Sequence, residues 1–207
     1  MWRLIFGLPS ALILLICLSL GYPNFATKSQ REIWGNNPGT ELSNIGLRYT
    51  HGDFIFRNGS GLWSPLFARA NPKFGFTHVG VIIYEQQHAY VLHAEANDLT
   101  LHGQINKTPL DVFTKEATTF AVRKNVMATA EKLRFITELQ KMLDLSVEFD
   151  NHFALDDEGK KVYCTEYIWL AVKFAGVNTV IKTSKIAGKE FVLVDTIYSS
   201  NFLGSKY

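Results

Sequence analysis

The chain has 207 residues, with 21 lysines and arginines against 19 aspartates and glutamates and a formal charge of +2. So even a balance gives no electrostatic reason for a nucleic-acid partner. A content of 47% hydrophobic and 13% aromatic residues excludes a disordered chain and, at this length, points to one domain with a full core.

Residues 1–21 open with MWR, run through LIFGLPSALILLICLSL and end before YPNFATKS. A short basic start, an apolar run and then small or polar residues is the layout of a secretory signal peptide, with Ser19 and Gly21 placed as its small cleavage-site residues. The run Leu4–Leu20 is 17 residues long and contains Pro9, so cleavage is expected ahead of retention as a single-helix anchor. Export to the periplasm, envelope or medium follows, with membrane contact only in the anchored alternative. Residues 22–43, polar and broken by Pro23, Pro38 and a GNNPG cluster, read as a linker. Residues 44–207 then form the domain.

Within it, Asp53–Arg57 reads as a strand that closes on the Asn58-Gly59 turn. THVGVIIYEQQHAYVLHAE has two apolar, β-branched runs about a polar centre, the pattern of a hairpin. A further strand, Thr119–Arg123, follows a short segment opening Thr108-Pro109. MATAEKLRFITELQKML places Leu133, Ile136, Leu139, Gln140 and Leu143 at near-helical spacing. A second helix starts at Cys164 and ends by Gly176, and FVLV (191–194) reads as a strand. Helices mixed with antiparallel strands define an α+β class.

The hairpin carries the first chemistry. A turn centred on Gln86-Gln87 sets His78 opposite Glu95, with Cβ atoms roughly 5 Å apart. A carboxylate so placed orients an imidazole and stabilises its protonated form, the relation of a general base to its acid partner. Cys164 carries the second. With Cys17 inside the leader, it is the only cysteine of the mature domain, without an intramolecular partner in an oxidising compartment. Its place in the first turn of a helix favours thiolate, with Lys160 and Lys161 close by, and the same N–H groups suit an oxyanion. Nucleophile, base and orienting acid together are the parts of a cysteine hydrolase. Against this stands the ordinary role of a free cysteine as a small buried apolar residue.

His93-Ala94-Glu95 repeats the HAE of zinc deaminases, but of the two further thiolates in their Pro-Cys-x-x-Cys arrangement the second is missing, since Tyr163 stands for the proline and Tyr167 for the second cysteine. A looser zinc site from His78, His93 and Cys164 stays open, because His93 and Glu95 share a strand face, although no recognised ligand spacing stands behind it.

GDFIF (Gly52–Phe56), THVGVII (Thr77–Ile83), VLHAE (Val91–Glu95), YCTEYIW (Tyr163–Trp169) and the late DTIYSS (Asp195–Ser200) resemble, in order, the motifs of the YiiX/YaeF-like permuted papain-fold hydrolases, relatives of NlpC-type cell-wall peptidases. The resemblance implies a circularly permuted papain-like fold with an antiparallel sheet packed on helices. It assigns Cys164 as nucleophile, His78 as base and Glu95 as third member, with no metal or organic cofactor required. The implied reaction is attack on an amide through a thioester, with a peptide or peptidoglycan fragment as substrate. The alternatives are an acyl-ester or lipid substrate, or a binding module without turnover. Residues 61–76 and the insertion LTLHGQINKT are the parts the motifs constrain least, and substrate choice is expected there. Tyr163 is left between oxyanion donor and packing residue, Tyr167 is expected to pack, and His152 is expected in a loop.

Overall fold

The computed structural model describes residues 49–59, 68–97, 99–100, 102–155 and 157–207. The expected leader and linker lie outside them, and among the described residues no helix is long and apolar enough to cross a membrane.

The framework is a mixed sheet in the spatial order β10-β5-β1-β2-β3-β4-β6-β7, built from β1 (Phe54–Gly59), β2 (His78–Glu85), β3 (His88–Ala96), β4 (Gly103–Pro109), β5 (Ala117–Asn125), β6 (Glu148–Phe149), β7 (Lys161–Val162) and β10 (Leu203–Lys206). All neighbours are antiparallel except β6 and β7. The helices are α1 (Leu110–Lys115), α2 (Thr129–Asp144), α3 (Cys164–Phe174) and α4 (Val194–Tyr198), and β8 (Ser184–Ile186) pairs with β9 (Lys189–Phe191) apart from the main sheet.

Strand alternation divides the core in two. Phe54 and Phe56 of β1, Val79, Val81 and Ile83 of β2, and Leu92 and Ala94 of β3 turn to one face, where α2 and α3 cover them with Phe135, Leu139, Tyr167, Ile168 and Ala171. Phe54 stacks on Phe135 at 5.4 Å, and the buried Tyr167 hydroxyl donates to Leu139 O at 2.8 Å. On the other face Ile55, Ile82, Val91 and Val122 meet Leu110 and Phe113 of α1 in a smaller cluster. Alternate residues of a strand reach opposite faces, so a single register shift would exchange these two sets.

The hairpin ladder runs from Glu85↔His88 to Val81↔Leu92, a register that, continued beyond its last pair, sets His78 level with Glu95. Gln86 and Gln87 both take positive φ, 47° and 72°, as a two-residue type I′ turn requires. The pair is poor in turn preference, so packing on both faces fixes the register. At Gly80 a Cβ would lie 2.4 Å from Val91 Cγ1 and 2.9 Å from Leu92 O. Its absence lets β3 close against β2 directly beside His93.

Four sequence expectations shift. Asn58 and Gly59 do not turn: they continue β1 against Thr119 and Ala117 of β5, with the register slipping between them. Gly59 N–H is taken by Thr77 Oγ1 and Asn58 O by the Thr118 hydroxyl, which supports the irregular strand end. Most of LTLHGQINKT is not a peripheral insertion, because Gly103–Pro109 forms β4 along β3 from Tyr90 to Ala96. Its polar alternation Gln104, Asn106, Thr108 hid the strand. In α2 the buried stripe is Phe135, Leu139 and Met142, while Leu133 is 67% exposed. The stripe is centred near Leu139, with Ile136 and Leu143 on its flank. FVLV leaves the strand after Phe191, and Val194 opens α4, its side chain and that of Val192 buried in the main core.

The C-terminal residue returns to the start of the described chain. β10 pairs with β5, the Tyr207 hydroxyl donates to Asp53 Oδ2 at 2.6 Å, and its ring meets Tyr49 edge-on at 5.0 Å. Asp53 also accepts from the backbone N–H groups of Thr50 and Asn125.

Candidate functional site

The smaller face changes character toward the ends of β1, β2 and β3. Along β1 the alternation that buries Ile55 carries Arg57 to the same side, and along β3 Val91 is followed by His93 and Glu95. His78, the first residue of β2, completes the group.

The imidazoles are joined directly, with His78 Nε2 2.9 Å from His93 Nδ1. The remaining ring nitrogen of His93, Nε2, lies 2.9 Å from Thr108 Oγ1 on β4. Which ring donates depends on the tautomer: in the one where His93 Nε2–H donates to the hydroxyl, His93 Nδ1 accepts from His78 Nε2–H and both rings are neutral. Their pKa values agree in direction. Burial first, then the Arg57 charge, hold His78 well below the ordinary 6.5. Burial and the neighbouring His78 bring His93 down to about 3, against an opposing pull from Glu95.

Glu95 Oε2 is 3.6 Å from His93 Nδ1, while Oε1 is held by Arg57 Nη2. Arg57 is 3% exposed and also donates through Nη1 to Phe113 O at 2.9 Å and Glu116 Oε2 at 2.8 Å. Its guanidinium lies 4.2 Å from the centroid of the Phe113 ring, which the His78 and His93 rings touch at 5.7 and 5.0 Å. One aromatic ring thus roofs the whole polar group. The ligand atoms of His78, His93 and Glu95 all lie within 4.8 Å of one another, and these are the residues that could hold a metal. This set contains Glu95 where the sequence suggested Cys164.

Cys164 is the first residue of α3 and packs on the border of the main core, on the α2/α3 side. The backbone N–H groups of Val79, Thr165 and Cys164 itself lie near enough to lower the pKa of its thiol, and the charge of Glu95 raises it. Val79 directly follows His78. Among the described residues no hydrogen bond joins the sulfur to the His78 ring, whose bond goes to His93. Desolvation outweighs the backbone donors and pushes the thiol up to about 12.

The flanking tyrosines are structural. The Tyr163 hydroxyl accepts from Val192 N–H at 2.9 Å and its ring packs on Phe153, while Tyr167 is buried against α2. Glu166, 1% exposed, reaches back toward the N–H of Tyr163 at the head of α3. His152 sits in a turn whose N–H bonds Asp150. Sequence reasoning had no role for Arg57 or Thr108 and met His93 only in the rejected deaminase motif and the looser zinc site. The signals available were the i, i+2 spacing of His93 and Glu95 and a lone arginine in the apolar strand FIFRN.

These features define a class by fold: an α+β domain with a mixed sheet, helices on both faces and a buried polar cluster at one end. No family model and no curated protein matches the chain. Among solved structures the fold is similar to that of metalloprotein YiiX from Escherichia coli O157:H7, with a TM-score of 0.62, 15% identity, and coverage of 77% of this chain and 97% of that one. The domain therefore has a YiiX-like fold, and at that identity the likeness is one of fold alone.

Proposed function

We propose that the domain is a thiol-dependent hydrolase of permuted papain-like organisation, acting on amide bonds in cell-envelope peptides after export. The observation that carries this reading is the placement of the Cys164 sulfur against the backbone of Val79, one residue from His78, at the N-terminal turn of α3. Thiol and imidazole both rest uncharged, so the chemistry starts with proton transfer and not from a standing ion pair. With His78 Nε2–H donating to His93, His78 Nδ1 is the basic atom that receives the thiol proton. The sulfur then forms the thioester as the amine leaves with that proton, and water releases the acid. His93, fixed by Thr108, takes the orienting role nearest His78, while Glu95, held by Arg57, adds negative charge that favours the imidazolium.

The test is intact-mass detection of an acyl adduct on the protein after incubation with purified muropeptides and, separately, with fatty-acyl esters. An adduct from muropeptides that is lost in Cys164→Ser and His78→Ala supports the amidase. An adduct from acyl esters alone moves the substrate class. No adduct and no product from either sinks the hydrolase and leaves a binding domain.

A further inference from the structure

We infer that His78, His93 and Glu95 form a three-ligand site for a divalent transition-metal ion of the zinc type, and that an ion bound there excludes His78 from thiol chemistry. The second half of the inference rests on the hydrolase reading above, and the first half does not.

Three observations carry the site. The donor set is two imidazole nitrogens and a carboxylate, the chemistry such ions take when positions are left for water or substrate. The spacing is close to what an ion needs. With His78 Nε2 and His93 Nδ1 2.9 Å apart, an ion about 2.05 Å from each subtends about 90°, and an opening of roughly 0.4 Å reaches the tetrahedral angle. Glu95 Oε2 stands 3.6 Å from His93 Nδ1 on the same side. The third observation is the support behind the ligands. Thr108 holds His93 Nε2, which turns the Nδ1 lone pair inward, and Arg57 holds Glu95 Oε1, which leaves Oε2 for the ion. Such outer partners set ring orientation in metal sites.

The nearby cation does not forbid the ion. Arg57 is matched by both Glu95 and Glu116, so with neutral imidazoles the group carries one net negative charge. The Glu95 side chain is 35% exposed, which provides a route of entry from solvent.

Binding changes the tautomer of His78. Its Nε2 must present a lone pair to the ion, so the single ring proton moves from Nε2 to Nδ1 through solvent, and the His78–His93 hydrogen bond is replaced by two bonds to the metal. Nδ1, now protonated, no longer accepts the proton of Cys164. Metal and thiol activation therefore compete for one ring.

The experiment titrates Zn²⁺ into the full chain, stripped with chelator, against a chromophoric competitor, with Co²⁺ absorption as the report on ligand geometry. One ion per chain is expected. His93→Gln and Glu95→Gln should each weaken it at least tenfold, and Cys164→Ser should change it less than twofold. Full-strength binding in both ligand variants, or binding lost in Cys164→Ser, overturns the site, as does absence of stoichiometric binding in the folded protein. If His93→Gln fails to fold, Thr108→Val keeps the ligand but frees its Nε2. A 10- to 100-fold loss is expected there, and unchanged affinity refutes the assigned geometry. Metal binding without any hydrolysis leaves the site standing and sinks the hydrolase, whereas hydrolysis that Zn²⁺ neither binds nor slows does the reverse.

Discussion

The two faces of the sheet solve burial in opposite ways. Under α2 and α3 the space is filled by large apolar side chains such as Phe54, Phe135 and Tyr167, whose one polar atom finds a helix carbonyl. Under α1 a few apolar residues give way to an arginine, two histidines and a carboxylate. That second arrangement holds only while every member keeps its partner, because a buried charge or donor left alone costs more than a lost apolar contact of similar size. The apolar face can be trimmed and repacked, whereas the polar face has to be kept as a set. This difference is why the base and its partners are assigned to the second, with the Cys164 thiol reaching them from the border of the first.

The contrast can be broken from either side. Phe135→Ala should cost about 3–5 kcal/mol in denaturant unfolding, with the histidine titrations unmoved, and a loss below 1 kcal/mol would mean that α2 is not the cover of the core. Arg57→Met should cost about 3 kcal/mol, at the low end for a broken buried pair because the Glu116 side chain still meets water. Unlike the first variant, it should raise the pKa of both His78 and His93, since the Arg57 charge lowers each. Imidazole NMR resonances would show this, and unchanged titration would remove the Arg57 charge from the causes.

The pH dependence of stability sharpens the comparison further. Both histidines titrate lower when folded than when unfolded, so above about 6.5 neither contributes a slope. As pH falls below it the unfolded chain takes up protons that the folded one refuses. Stability should then decline by up to about 1.4 kcal/mol per pH unit for each ring, continuing toward the folded value near 3 for His93. Thermal melts of His93→Gln should have a shallower acid limb, and an identical limb would contradict a buried neutral His93. Thr108→Val should cost about 1 kcal/mol by leaving His93 Nε2 without its partner, read from the same unfolding curves. The smallest effect belongs to Leu133→Ala, expected within about 0.5 kcal/mol because that side chain faces water. A larger loss would restore the burial phase that the spacing of leucines suggested.

What could be read from the sequence followed how local the information was. The hairpin register was legible because apolar runs flank a polar centre symmetrically, so His78 and Glu95 were brought level by counting. Cys164 could be placed at a helix start because the residues after it are apolar in helical rhythm. Arg57 and Thr108 were not legible, since each matters through a strand that is distant in sequence. An arginine in FIFRN reads as a strand end until β2 and β3 are laid beside it. Thr108 lies in a strand whose alternating polar residues look like a loop. The bond between His78 and His93 was only partly legible: the two were grouped in a looser zinc site and the alternation of β3 placed His93 and Glu95 on one face, but counting along the hairpin set Glu95 opposite His78.

The clasp at Tyr207 has a mechanical consequence. The last residue and Tyr49 touch, so the two ends of the described chain leave from one point at the sheet edge. A force applied between those ends would peel β10 from β5 one hydrogen bond at a time and would not shear the sheet as a whole, while a domain hung from that point would keep its histidine end out of the line of tension.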